Sequence, residues 1–191
     1  DGHDVAQIEQ YADDPRLPFL NKVVGGEFTP GSIVKPFIAY AALEEDVIEP
    51  DDTIVSTGEI VIPNPYTPSQ PARFTDWRAH GEMTMQEAIA FPSNVYFYTI
   101  GGGYGEYDGL GITALADYME QFGFGESTGI QLGTEQTGVV PDPTWKTAEF
   151  DDDWRLGDTY NTSIGQFGWQ VTPLQMVRAY GALANGGTFF T

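Results

Sequence analysis

Apolar residues recur at helical spacing in two places in the first quarter of the chain. From Ile33 to Leu43 they fall on one side of a helix, which predicts a buried helix in this part. Pro36 is tolerated only within the first turn of a helix, so we expect this helix to begin near Ser32. A shorter helix is predicted near Val5–Tyr11, within a polar stretch that extends to residue 31.

The next segment changes from helical to strand-like spacing. Short runs rich in β-branched residues at Thr53–Val55 and Glu59–Ile62 predict two strands, and the prolines that follow predict an irregular excursion. Helical spacing then returns. Thr84 is a candidate N-cap for a short helix over Met85–Ala90, and a second helix is predicted from about Asn94 to Ile100.

The last third of the chain carries two clear helical signals. After a Gly-rich loop, an amphipathic helix is predicted at Thr113–Phe122, whereas residues 123–160 are expected to be mostly loop and short strand. Thr172 followed by Pro173 is typical of an N-cap and first helical residue, and Gly186 is expected to end that helix. Helices mixed with short strands indicate an α/β or α+β domain.

The composition excludes several classes of function. Lys and Arg total 8 against 28 Asp and Glu, a formal charge of −20 that repels phosphate backbones, so no nucleic-acid partner is expected. The absence of cysteine excludes a disulfide scaffold and thiolate metal sites. No apolar run reaches the length of a membrane span, so any anchor is expected outside this chain. The chain does not begin with Met and its last residues are typical of a turn entering a strand, so we expect a piece truncated at both ends.

Ser32 and Lys35 are the first candidates for chemistry. Residues three apart share one face of a helix, so a serine at a helix start can meet a lysine one turn later. The hydroxyl is a weak nucleophile, and a lysine amine can serve as its base where burial or nearby positive charge lowers the amine pKa. Taken alone, the S-x-x-K pattern is more often a capping serine beside a surface lysine.

The surrounding sequence gives this pair a context. The run Phe28-Thr29-Pro30-Gly31-Ser32-Ile33-Val34-Lys35-Pro36 resembles the nucleophile segment of penicillin-binding proteins. Further segments similar to that family follow in the expected order: Phe74-Thr75-Asp76-Trp77, His80-Gly81, Ser93-Asn94-Val95-Tyr96-Phe97-Tyr98, Gly157-Asp158-Thr159-Tyr160-Asn161, Ser163-Ile164-Gly165-Gln166, Val171-Thr172-Pro173-Leu174-Gln175 and Ala184-Asn185-Gly186-Gly187. The resemblance extends from about Pro18 to Gly187 and is strongest to the elongation-type class B group.

This resemblance implies a fold and a reaction. The fold is serine β-lactamase/transpeptidase-like, with an antiparallel sheet flanked by helices plus a helical subdomain, and residues 1–191 would be a partial transpeptidase domain. The resemblance implies that Ser32 attacks the D-Ala-D-Ala carbonyl of a peptidoglycan stem peptide and that Lys35 accepts its proton. The acyl-enzyme would then crosslink to an amine of a neighbouring strand. The backbone N–H of Ser32 would form half of an oxyanion hole.

The resemblance also implies partners and a location. The partners would be peptidoglycan stem peptides, β-lactams that acylate Ser32, and a glycosyltransferase of the elongation machinery. No metal or organic cofactor is implied. The parent protein would sit in the bacterial cell membrane with its catalytic domain outside the cytoplasm.

Two departures from the family pattern bear on the chemistry. The third motif, Lys-Thr-Gly or Lys-Ser-Gly, is absent, and Lys146-Thr147-Ala148 comes too early in the chain to replace it. The second motif is Ser-x-Asn or Ser-x-Asp in the family, but aligned on Asn94 it reads Pro92-Ser93-Asn94 here. The shifted frame, Ser93-Asn94-Val95, is the Ser-x-Val form of class D β-lactamases. Asn94 is expected to hold the substrate amide and Lys35, and Ser93 is the remaining candidate for a proton relay.

Other patterns have simpler interpretations. Gly109–Ala114 has the spacing of a dinucleotide fingerprint, but no strand precedes it, so a loop and helix start are expected. His3 and His80 are too few for a zinc site, and Asp151–Asp153 lacks calcium-loop spacing. Two alternative functions stay open: a class D-like β-lactamase or β-lactam sensor, and a non-catalytic cell-wall scaffold, the latter suggested by Pro92.

Overall fold

The computed structural model describes residues 4–64 and 67–189. Within these ranges the chain forms nine α-helices, and a 3-10 turn at Gly31–Val34 runs directly into the third of them. The helices are α1 (Val5–Ala12), α2 (Lys22–Gly25), α3 (Lys35–Glu44), α4 (Met85–Ala90), α5 (Asn94–Gly102), α6 (Gly111–Gln121), α7 (Pro143–Phe150), α8 (Leu156–Thr162) and α9 (Pro173–Ala184). None of the helices within these ranges is long and apolar enough to cross a membrane.

The described strands pair as two separate two-stranded antiparallel sheets. They are β1 (Thr53–Ser56), β2 (Glu59–Ile62), β3 (Ala72–Thr75) and β4 (Gly81–Thr84). β1 pairs with β4, and β2 pairs with β3. Helices combined with antiparallel sheets confirm the α/β class that the sequence predicts.

Helix α5 lies at the centre of the core. Its side chains from Val95 to Ile100 are all buried, and α3, α6 and α8 pack around it. Phe37 and Ile38 of α3 are fully buried in the same cluster. Because α3 and α5 pack together, residues at the start of each helix can meet, and Lys35 and Asn94 occupy these two positions.

Local sequence signals predict several element boundaries correctly. The Thr84 hydroxyl accepts a hydrogen bond from the N–H of Glu87, and the carboxylate of Glu87 accepts one from the N–H of Thr84, so α4 has the predicted cap. The same reciprocal pair joins Thr172 and Gln175 at the start of α9. A side chain that caps a helix satisfies backbone N–H groups that have no partner inside the helix, which explains why these residue types mark helix starts.

The prediction of loop and short strand for residues 123–160 is wrong, because α7 and α8 lie there. Asp142 caps α7 and Pro143 opens it, but Lys146 is its only buried side chain, so no apolar periodicity indicates a helix. α8 is short and buries mainly threonine and tyrosine. The sequence also missed β3 and β4 as strands. His3, part of the proline-rich excursion (residues 65 and 66) and the predicted terminal strand at residues 190 and 191 lie outside the described residues.

Candidate active site

Ser32 lies in an exposed turn that other parts of the chain hold in place. Gly31, directly before it, has a φ of +59°, which L-residues with a side chain rarely adopt. The N–H of Gly31 donates to the carbonyl of Gly165 at 2.9 Å, and a Cβ on Gly165 would overlap the carbonyl oxygen of Gly31. The segment around Gly165 therefore supports the turn of the candidate nucleophile from directly behind it.

Two further contacts fix the chain on either side of Ser32. Phe28 and Val171 exchange backbone hydrogen bonds at 2.9 and 3.0 Å. The hydroxyl of Tyr180, on α9, donates to the carbonyl of Ile33 at 2.7 Å. The nucleophile segment is thus tied to the final third of the chain at three points, and none of these contacts is visible from local sequence spacing.

Lys35 is buried at the start of α3, with 1% of its surface exposed. Its Nζ donates to Oδ1 of Asn94 at 2.9 Å and lies 5.2 Å from the centre of the Phe97 ring. Burial lowers the pKa of Lys35 from 10.5 to about 8, and the negative charge of Asp76 opposes part of that effect. An amine with this pKa is partly neutral at neutral pH, so it can accept a proton.

Asn94 links Lys35 to the edge of a sheet. It is the first residue of α5, its Oδ1 accepts from Lys35, and its Nδ2 lies 3.4 Å from the carbonyl oxygen of Thr75 at the end of β3. The amide is therefore held from both sides. The structure brings Lys35 and Asn94 together, as the sequence predicts, and one turn of 3-10 helix separates Lys35 from Ser32.

Ser93 is fully buried and serves as the N-cap of α5. Its hydroxyl donates to Oδ2 of Asp76 at 2.7 Å and lies 3.2 Å from Oγ of Ser56, and it accepts from the N–H of Tyr96 at 3.3 Å. The bond from Tyr96 is that of a helix cap, and the other two contacts join Ser93 to distant parts of the chain. Pro92, which precedes Ser93, is exposed and has no hydroxyl. The contacts favour the frame Pro92-Ser93-Asn94 over the shifted frame, and the relay role of Ser93 stays a prediction.

Asp76 is a site residue whose role sequence reasoning missed. Its side chain is fully buried and accepts three hydrogen bonds, from the hydroxyl of Ser93, the N–H of Val95 and the N–H of Trp77. The resemblance to the family includes Asp76, but no local signal in the sequence indicates that its carboxylate reaches the start of α5, eighteen residues later.

Other sequence candidates lie outside this site. The Nζ of Lys146 bonds to Asp158 and Asp152 and to the carbonyl of Asp153, so Lys146 belongs to an ion cluster between α7 and α8. Gly109 lies in the loop before α6, as expected for a helix start. Within residues 4–64 and 67–189, no group of three or more His, Cys, Asp or Glu side chains is arranged to hold a metal ion.

The sequence is similar to known peptidoglycan enzymes over nearly its whole length. The family described as penicillin binding protein transpeptidase domain matches residues 3–191. Over 189 residues the chain is 36% identical to the peptidoglycan D,D-transpeptidase MrdA of Haemophilus influenzae and 33% identical to that of Escherichia coli K12. These alignments cover 98% of this chain, but the chain spans only 27% and 28% of the length of the two relatives.

Solved structures agree with the sequence comparison. Penicillin-binding protein PBP2 of Helicobacter pylori, in complex with MreC, has a TM-score of 0.85 and 34% identity over 97% of this chain and 33% of that chain. PBP2 of Pseudomonas aeruginosa, in complex with WCK 5153, has a TM-score of 0.86 and 28% identity over 99% of this chain and 41% of that chain. The fold and the resemblance to elongation-type class B proteins are thereby confirmed. The chain belongs to the penicillin-binding protein transpeptidase domain family.

Proposed function

We propose that the complete protein is a peptidoglycan D,D-transpeptidase that forms an acyl-enzyme at Ser32. Its donor substrate would be a stem peptide ending in D-Ala-D-Ala, and its acceptor an amine of a neighbouring stem peptide. β-Lactams would acylate the same hydroxyl. The relatives named peptidoglycan D,D-transpeptidase MrdA support this assignment.

In the proposed reaction, Lys35 accepts and returns one proton. As the bond forms between Oγ of Ser32 and the donor carbonyl carbon, the hydroxyl proton moves to Nζ of Lys35. When the C–N bond of the terminal D-Ala breaks, Lys35 returns the proton to the leaving amine. The acceptor amine then attacks the acyl carbon, the bond from that carbon to Oγ of Ser32 breaks, and Lys35 transfers the proton lost by the amine to Oγ of Ser32. Asn94, which already bonds to Lys35, would hold the amine of Lys35 and the amide of the donor peptide in position relative to each other.

The observation that carries this proposal is the environment of Lys35. A lysine that is only 1% exposed, touches a neutral amide and lies one turn after an exposed serine is unlike the surface lysine that a chance S-x-x-K pattern would contain. Burial without a direct carboxylate partner destabilises the ammonium form, and a base needs that destabilisation at neutral pH.

Labelling of the full-length protein with a fluorescent penicillin tests the proposal. We expect one covalent label, mapped by peptide analysis to Ser32, and loss of the label in Ser32→Ala. Ser127→Ala is the matched control, because Ser127 is exposed and lies outside the site. A label on another residue, or undiminished labelling of Ser32→Ala, would contradict the proposed nucleophile.

We also propose that the rest of the protein completes the active site and anchors the domain to the membrane. A strand with the third motif would supply the second half of the oxyanion hole, and a membrane anchor would keep the catalytic domain outside the cytoplasm. A glycosyltransferase is the proposed partner. Two structural relatives support an assembly of this kind: one was solved with MreC, and another belongs to a peptidoglycan synthase complex that coordinates polymerization and crosslinking.

A second candidate function is a non-catalytic scaffold in cell-wall assembly, which Pro92 favours. Pro92 occupies the position of the first motif serine, and the neighbouring hydroxyl of Ser93 is bonded to Asp76. A scaffold would not be labelled by penicillin, whereas a β-lactamase would be labelled and then release the hydrolysed drug. A stable label on the full-length protein supports the transpeptidase over the scaffold and the β-lactamase, whereas a β-lactam sensor would keep its label too.

A further inference from the structure

The segment Thr75–Trp77 consists of the last residue of β3 and the first two residues of the loop that leads to β4. It contacts the second motif, Pro92-Ser93-Asn94, at several points. The buried carboxylate of Asp76 accepts from the hydroxyl of Ser93 at 2.7 Å and from the N–H of Val95 at 3.0 Å. The first donor is the hydroxyl of the N-cap residue, and the second is a backbone N–H in the first turn of α5. An anionic acceptor at a helix start satisfies free N–H groups and interacts favourably with the helix dipole.

The residues on either side of Asp76 hold the rest of the motif. The indole Nε1 of Trp77 donates to the carbonyl of Pro92 at 3.2 Å. The carbonyl of Thr75 lies 3.4 Å from Nδ2 of Asn94. Three consecutive residues thus contact all three residues of the motif Pro92-Ser93-Asn94, with one side-chain or backbone group for each.

The segment is itself fixed to the turn between β1 and β2. The N–H of Asp76 donates to the carbonyl of Gly58 at 2.8 Å, and Thr75 pairs with Glu59 in the ladder between β3 and β2. The Arg78 guanidinium also stacks on the Trp77 ring at 4.5 Å. A segment anchored in this way can position the motif, because it does not depend on the motif for its own conformation.

We infer that Thr75–Trp77 is a clamp that positions the second motif, and that Asp76 is its central positioning residue. The clamp holds the first turn of α5 so that Oδ1 of Asn94 meets Nζ of Lys35. The hydrogen bonds of the Asp76 side chain among the described residues come from Ser93, Val95 and Trp77, and Lys35 is not one of the donors. This inference rests on the proposed function for its catalytic consequence, although the contacts of the clamp exist without it.

The charge of Asp76 gives the clamp a second, measurable effect. Asp76 raises the pKa of Lys35, against the larger lowering caused by burial. Two other titratable groups lie near Asp76. Nε2 of His80 lies 3.9 Å from Oδ1 of Asp76 and has no hydrogen-bond partner among the described residues. The pKa of Tyr98 is raised mainly by burial and further by the charge of Asp76. Removing the negative charge of Asp76 should therefore lower the pKa of Lys35 further.

The test measures the rate of penicillin acylation of the full-length protein between pH 6 and pH 10. In Asp76→Asn we expect the plateau rate at high pH to fall roughly tenfold, the size of one lost charge-assisted hydrogen bond. We expect the midpoint of the pH profile to move to lower pH. Asp151→Asn removes the same charge from an exposed residue outside the clamp and should change neither quantity. If Asp76→Asn matches the parent in either plateau or midpoint, the clamp is refuted.

A second variant covers the case in which Asp76→Asn fails to fold. Trp77→Phe removes the hydrogen bond to Pro92 but keeps an aromatic ring beside Arg78, and Trp77 is 61% exposed, so the fold should persist. We expect acylation roughly threefold slower, as for the loss of one neutral hydrogen bond. A parent-like acylation rate in folded Trp77→Phe would overturn the clamp.

A spectroscopic readout separates the clamp from the proposed function. If the parent protein takes no label, the proposed function fails, and the clamp is then tested by NMR titration of the Lys35 side chain, assigned with Lys35→Arg. Its titration midpoint should be lower in Asp76→Asn than in the parent and unchanged in Asp151→Asn. Equal midpoints in Asp76→Asn and the parent would overturn the inference whatever the labelling shows.

Discussion

Replacing Lys35 by Met should remove activity and stabilise the fold. Holding a buried lysine charged costs free energy, and lowering its pKa from 10.5 to about 8 corresponds to roughly 3 kcal/mol at neutral pH. The variant also loses the hydrogen bond to Asn94, which offsets about 1 kcal/mol. Met fills a similar volume without charge, so we expect a net gain of about 2 kcal/mol at pH 7 together with loss of penicillin labelling.

The pH dependence of this gain follows from the direction of the pKa change. Because the folded pKa of Lys35 is lower than the unfolded value, the unfolded chain binds more protons between pH 8 and 10.5, and the parent gains stability as pH rises through that window. The advantage of Lys35→Met should therefore be full below pH 8 and shrink towards pH 10.5.

Thermal unfolding of the full-length protein, followed by circular dichroism at pH 6.5, 8 and 9.5, measures the effect. A gain of about 2 kcal/mol raises the midpoint by roughly 4–8 °C for a domain of this size. Lys22→Met is the control, because Lys22 is exposed on α2 and its replacement should leave the midpoint unchanged. A Lys35→Met protein that is less stable than the parent at pH 6.5, or that still takes the label, would refute the reasoning.

Three further substitutions test other parts of the site and the fold. Pro92→Ser restores a hydroxyl at the first motif position and should raise the acylation rate by about tenfold or more, measured by stopped-flow labelling; an unchanged rate excludes a relay at this position. Gly165→Ala places a methyl group against the carbonyl of Gly31, so labelling should be strongly reduced even where circular dichroism shows a folded protein; normal labelling would contradict the support proposed for the nucleophile turn. Asp158→Asn weakens the ion cluster around Lys146, so the free energy of unfolding measured by urea titration should fall by about 2 kcal/mol while the labelling rate stays the same. Unaltered stability would show that the remaining acidic partners are enough to stabilise the charge of Lys146.

The parts of the site predicted from the sequence are those that depend on local signals. Pro36 in the first turn of α3 and the spacing of Ser32 and Lys35 indicate a helix start with both side chains near it. The cap signal at Thr172 and Pro173 predicts the start of α9 in the same way. Each of these signals depends on residues within one or two turns, so a single sequence contains them in full.

The supporting contacts could not be predicted, because they join residues that are far apart in the chain. The approach of Gly165 to Gly31 and the bond from Tyr180 to Ile33 cross more than 100 residues. A glycine in a sequence indicates conformational freedom but does not identify which backbone segment approaches it. The ordered series of family motifs identified which segments belong to the site, but it did not indicate which residues of those segments contact each other.

The site has two different electrostatic requirements, a negative charge at the start of α5 and a weakly stabilised charge on Lys35. The start of α5 needs an anionic acceptor, and Asp76 provides it by accepting hydrogen bonds from Ser93 and Val95. Lys35 needs a partner that does not stabilise its charge, and it touches the neutral amide of Asn94. A carboxylate bonded directly to the amine would favour the ammonium form. Because Asp76 acts on Lys35 only through its charge, burial remains the larger influence and the amine stays able to accept a proton near neutral pH.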